Sequence, residues 1–182
     1  MVLTQSLPLM ASISRNLHPL EVNPDTNEVY LRLPPPYINI IITPPRPSDA
    51  PIIVKYLNDS RVYKTLDGPP YPYLLEHAES WLSTVSTESA DILSELNGTN
   101  KQQSENEESV RFASLPYVDG CPVRALREVQ EDGTDLFIGD ITITRCGRFD
   151  YIRDKTQETK LVSYNESLSV GDPNIIWEFG GT

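Results

Sequence analysis

A chain of 182 residues is one domain's worth and long enough to bury a core. Its net charge of -11, with no basic face in the pattern, argues against nucleic acid, and no stretch approaches the roughly 20 apolar residues that a bilayer span needs. Cys121 and Cys146 form no CxxC pair and suggest no disulfide framework, so the chain reads as cytoplasmic.

Met1 to Thr26 reads as a disordered tail. It has no acidic side chain before Glu21, as a transit peptide would, but Pro8 and Pro19 interrupt any amphipathic helix and Arg15 is the lone arginine. Glu28–Leu33 alternates as a short strand stopped by Pro34, Pro35 and Pro36. Tyr37–Thr43 is an aliphatic, β-branched strand closed by Pro44 and Pro45, which cannot donate to a ladder. Ser48 sits at an N-cap position, and Ala50, Ile53, Val54 and Leu57 share one helical face. Asn58–Pro72 is a connector broken at Asp67–Gly68–Pro69–Pro70. Leu74, Ala78, Trp81, Leu82 and Val85 then repeat at helical spacing.

Residues 86–109 form a polar insertion whose helix reaches Leu96, with 97–109 read as a disordered loop because almost nothing there can be buried. Pro122–Val129 and Leu136–Arg145 alternate as strands around the turn Glu131–Thr134, so they are antiparallel neighbours. Gly139 in mid-strand marks a bulge or a close backbone approach. Residues 146–173 are a second polar insertion, and Asn174–Phe179 is the last strand. The sequons at Asn58, Asn97 and Asn165 mean little without a secretory signal. GxGxxG, P-loop, GxSxG, HExxH and kinase signatures are all missing, which removes residue support for dehydrogenase, NTPase and hydrolase readings.

The wording of several pieces carries a resemblance. RPSDA opening a helix, YLNDSRV, GPPYPYLLEHAESWL, IGDI and VGDPNIIWEFG follow one another in the order found in the GNAT acyl-CoA N-acyltransferases. Over about Ile38–Gly180, both insertions left out, the chain resembles the N-terminal half of that superfamily. It is similar above all to the branch that acetylates protein N-termini and small amines, and its approach to the last strand is similar to a fungal subgroup. Leu74 departs from the pattern, standing where many relatives have a Thr that caps the second helix.

The resemblance implies an α+β fold in residues 27–182, with a mixed sheet and two N-terminal helices. It also implies acetyl-CoA as cofactor and a primary amine as acceptor, attacking the thioester directly. Tyr71 and Tyr73 would line the acceptor pocket, or else pack beneath the connector beside its prolines. Glu178 would be the catalytic carboxylate that draws a proton from the amine through water, or a solvent-facing strand residue. Trp177 and Phe179 would flank the pantetheine arm through backbone groups, or serve as ordinary core. His77 reads as a surface or boundary residue, and His18 in the tail is not a candidate.

The family's pyrophosphate loop, Arg/Gln-x-x-Gly-x-Gly/Ala, would follow the last strand and does not occur before Thr182. The expectation is therefore a partial domain with its C-terminal half missing, little activity and weak acetyl-CoA binding. The alternative is a non-catalytic interaction module that pairs through an open sheet edge. A third arrangement, two copies completing one another, joins both.

Overall fold

The computed structural model describes residues 19–66, 68–104 and 117–181. Within it the strands are β1 (Glu21–Val22), β2 (Val29–Arg32), β3 (Ile40–Thr43), β4 (Ala125–Val129), β5 (Asp135–Arg145) and β6 (Trp177–Gly181). The helices are α1 (Ala50–Leu57), α2 (Leu75–Ser104) and α3 (Lys155–Ser167). The strands form one sheet in the order β1-β2-β3-β4-β5-β6. The class is α+β, as expected. Within that class the sheet is antiparallel in all five described pairings rather than mixed.

Register fixes which side chains meet. Thr43, Ala125 and Asp140 lie side by side, as do Ile41, Arg127 and Phe137. Because side chains alternate along a strand, these two rows share one face, and α1 and α2 lie on it. The pairing slips at Leu126/Arg127, which oppose Gly139 and Phe137, so Ile138 is the extra residue of a bulge. The mid-strand glycine marks that bulge, as its position predicts. Gly133, at φ 83, supplies the left-handed residue that the β4–β5 turn requires.

The core under the helices is Ala50, Ile53, Tyr73, Ala78 and Leu82, with Trp81 and Phe137 packed against it. Burial of each large aliphatic there stabilises by roughly 1.5–3 kcal/mol. Beside this core lies a chain of charges. Arg127, only 2% exposed, donates from Nη2 to Asp49 Oδ2 at 2.6 Å and from Nε to Thr43 Oγ1 at 2.7 Å. Its Nη1 reaches Asp135 at 3.3 Å, and Arg46 binds both Asp135 and Glu28. The network ties the start of α1 to β4 and to the start of β5.

Several expectations are corrected. Ser48 is not a helix cap: it lies inside a 3-10 turn, Pro47–Asp49, whose first N–H, from Arg46, is taken by Asp49 Oδ2 at 2.9 Å. The strand expected from Tyr37, β3, starts at Ile40, because Tyr37 and Ile38 sit exposed in turns. Glu21–Val22, read as tail, pairs with Val29–Tyr30 across a tight turn in which Asn27 takes a positive φ of 61°.

Helix α2 continues to Ser104, into the stretch read as loop. Once nucleated, a helix propagates through good helix formers such as Lys101, Gln102 and Gln103, and no proline intervenes. The second polar insertion is not featureless either. Asp154 caps α3 by accepting from the Thr156 and Gln157 N–H groups. β6 begins at Trp177 rather than Asn174, because Asn174 is held in a turn by Asp172 and the Ile176 N–H is taken by the Asn165 side chain. The readings made for 1–18 and 105–109 lie outside the described residues.

Candidate functional site

The two arms of the connector are pinned by one residue. Asn58 follows α1 directly. Its Nδ2 donates to Val54 O at 2.8 Å and to Tyr73 O at 2.7 Å, while its Oδ1 accepts the Tyr73 N–H at 3.0 Å. A side-chain amide thus pairs with a peptide 15 residues away, and the loop between is closed across its base. This fixes Tyr73 against the core.

A cavity of about 280 Å3 opens beneath that clasp. Helix α1 contributes Ile53, Tyr56 and Leu57, which share a face at i, i+3 and i+4 spacing. The connector adds Val62 and Tyr73, α2 adds Trp81, and β5 adds Phe137 to Asp140 at the bulge. Tyr56 stacks on Phe137 with ring centroids 6.3 Å apart and donates its hydroxyl to the Phe137 carbonyl at 3.3 Å. The walls are therefore mostly aromatic and aliphatic.

Its polar groups are few. Asp140, buried, receives a bidentate pair of hydrogen bonds from Arg124, at 2.7 Å from Nε and 2.9 Å from Nη2. The Arg124 guanidinium lies 5.0 Å from the Trp81 ring centroid, so its charge is shared between a carboxylate and a π-face. Tyr73 is 5% exposed, and burial pushes its phenol pKa up. Neither the Tyr73 hydroxyl nor the Trp81 Nε1–H has a hydrogen-bond partner among the described residues. The buried side-chain polar atom without a partner among the described residues is Ser86 Oγ, so the Tyr73 and Trp81 polar atoms keep some contact with solvent.

Of the residues singled out from sequence, Tyr73 lines the cavity. Tyr71 does not: it is 63% exposed and stacks on Tyr63 with centroids 4.3 Å apart. Glu178, Trp177 and Phe179 lie on β6, outside the cavity. Glu178 pairs with Thr144, so it shares the helix-bearing face with Asp140, four residues along β5. Trp177 and Phe179 point to the opposite face, opposite Arg145 and Ile143, and both are exposed rather than core. His77 is a boundary residue with a structural task. Its Nδ1 accepts the Leu74 N–H at 3.0 Å, the reciprocal half of a capping box, while the first-turn N–H that a Thr at 74 would cap gains no side-chain acceptor from Leu74.

Sequence reasoning missed Asp140, Trp81, Tyr56 and Phe137 as wall residues. The one signal was the glycine before Asp140, which marks the bulge beside which the carboxylate sits. Among the described residues no group of three or more His, Cys, Asp or Glu could hold a metal, and no helix is long and apolar enough to cross a membrane. No family model, curated protein or solved structure matches the chain.

Proposed function

We propose that the chain is an acyl-CoA N-acyltransferase-like protein whose described residues form the amine-acceptor side of an acetyl-transfer site. The observation that carries this reading is the cavity between the helix-connecting loop and the bulged strand β5, which shares the connector, though not the last strand, with the acceptor side that the resemblance implies. Tyr73 contacts the acceptor, and Tyr71 sits outside at the connector surface. Glu178, on the same sheet face as Asp140, is the carboxylate available to take a proton through water. The resemblance assigns the donor as acetyl-CoA and the acceptor as a primary amine.

The described residues fit that donor only in part. The outer edge of β6, Trp177–Gly181, has no strand beside it among the described residues, so its backbone can meet the amides of a pantetheine arm. A pyrophosphate needs free N–H groups at a helix N-terminus. Here Asp154 closes that end of α3 and Asp49 sits at the start of α1, so both present a carboxylate instead. Acetyl-CoA is therefore held weakly by this chain, and no step of transfer is assigned through it.

Calorimetry with acetyl-CoA, competed by pantetheine, tests the reading. Binding that saturates only above the micromolar range and is displaced by pantetheine supports it. Tight 1:1 binding at micromolar concentration overturns the partial fit, and no binding at millimolar concentration overturns the acyl-CoA reading itself.

A second reading rests on its own observation. Ile143, Trp177 and Phe179 form an exposed apolar row on the face of β5–β6 away from α1 and α2. A non-catalytic role, pairing with another chain along β6, uses that row and the open edge together.

A further inference from the structure

We infer that β6 is a self-pairing strand: it joins a second copy of this chain, antiparallel and two-fold symmetric, with Phe179 opposite its own counterpart. This rests on the second reading above and names its partner and register; it is independent of the acyl-CoA reading.

Ladder geometry fixes which backbone groups are free. The Cys146 N–H donates to the Ile176 carbonyl at 2.8 Å, one position beyond the Arg145–Trp177 pair. Hydrogen-bonded positions alternate along an antiparallel strand, so Glu178 and Gly180 turn their N–H and C=O groups toward β5. Trp177, Phe179 and Gly181 turn theirs outward, where no strand lies beside β6 among the described residues. An axis through Phe179 pairs the residues of β6 wholly with one another. Phe179 meets Phe179 of the second copy, Trp177 meets Gly181, and every outward group finds a partner.

Side chains select that centre. The strand's one charge, Glu178, then lies opposite Gly180. An axis at Glu178 keeps the backbone alternation but sets two carboxylates directly opposite, which is destabilising. An axis at Trp177 calls on Ile175, which is buried and already gives its N–H to Asp172 O at 3.2 Å. Gly181 is bare because a Cβ there would meet the Asp140 carbonyl oxygen at 3.0 Å. The indole of the second copy covers that glycine, and the Phe179 rings, 68% exposed in the single chain, cover each other. An aromatic side chain offers about 150–250 Å2, which keeps the contact near the low end of specific interfaces, roughly 1,200 Å2 in total. The pairing is therefore weak, with a dissociation constant on the order of tens of micromolar.

Sedimentation velocity with charge-swapped variants is the test, in about 0.15 M salt to screen the net charge of -11 on each copy. The parent should dimerise reversibly. Phe179→Lys and Phe179→Glu should each weaken association about tenfold, since like charges then face each other. An equimolar mixture of the two should recover it, because residue 179 meets itself. Trp177→Lys and Trp177→Glu, which uncover Gly181, should also weaken it, and their mixture should gain nothing. A Phe179 mixture that fails to recover, a Trp177 mixture that does recover, or Trp177 variants that associate like the parent overturn this register and leave the broader reading of pairing along β6 standing. A monomeric parent, or association that Phe179→Lys leaves intact, overturns both.

Discussion

Asn165 and Ile176 bond to each other as two strand residues would, although one of them is on a helix. The Ile176 N–H donates to Asn165 Oδ1 at 2.8 Å, and Asn165 Nδ2 donates back to the Ile176 carbonyl at 2.9 Å. The same Nδ2 reaches Cys146 O at 3.2 Å, and Arg145 donates to the Asn165 carbonyl at 2.7 Å. One side chain, 1% exposed, thereby joins α3 to the ends of β5 and β6.

Asn165→Ala removes the three side-chain bonds and leaves the Ile176 N–H without its partner, while the Ile176 carbonyl keeps the Cys146 N–H at 2.8 Å and Arg145 keeps the residue 165 carbonyl. The expected loss is about 2–4 kcal/mol, read as a lower urea midpoint. Asn165→Asp keeps the acceptor and loses both donated bonds, so it should destabilise too. Unchanged midpoints for both would show that the clasp contributes nothing. The sequon at Asn165 should also stay unglycosylated in the folded chain, since its Nδ2 is occupied.

Arg127 holds the largest buried charge network. Replacing it with Met leaves Asp49 buried without its 2.6 Å partner, and the expected cost is about 3–5 kcal/mol. Replacing Asp49 and Arg127 together by Leu and Met should cost less than Arg127→Met alone. Thermal unfolding of the three variants checks the order, and equal losses for the single and the double would contradict it.

Acid should weaken the α3 region through Glu158. Its Oε2 accepts from Lys155 at 2.6 Å and its Oε1 accepts the Phe149 N–H at 3.2 Å. The Lys155 ammonium is the main reason its carboxyl lies below the usual glutamate range; burial opposes this and the Phe149 N–H assists it. A depressed folded-state value means that the stabilisation is complete above the unfolded pKa of about 4.3 and is lost as pH falls from there toward the folded value. Glu158→Gln should flatten the fall in stability between about pH 5 and pH 3. An acid profile identical to that of the parent chain would rule Glu158 out.

The edge of β6 should drive self-association. Phe179 is 68% exposed, Trp177 lies beside it on the same face, and Glu178 is the strand's one charge. Phe179→Lys places a charge in the row and should raise the monomer fraction in sedimentation velocity at tens of micromolar. Ile176→Lys should act less specifically, because the Ile176 backbone is already held by Asn165. A parent chain that is fully monomeric at that concentration would remove the edge as an interaction surface.

Local pattern alone determined a good deal of this protein. The α1 face, the start of α2, the β4–Gly133–β5 hairpin and the bulge beside Gly139 all follow from spacings of two, three or four residues and from turn chemistry. The tertiary structure decided what those spacings cannot encode. β1 and the docking of α3 depend on partners elsewhere in the chain, so their polar sequences looked like loops. The cavity is of the same kind. Ile53, Tyr73, Trp81 and Asp140 are drawn from four separate segments, and only the pairing of β4 with β5 and the Asn58 clasp bring them to one place. Read in line, Asp140 is one polar position in an alternating strand. Folded, it is a buried carboxylate facing aromatic rings, because the sheet's register turns that position toward the helices.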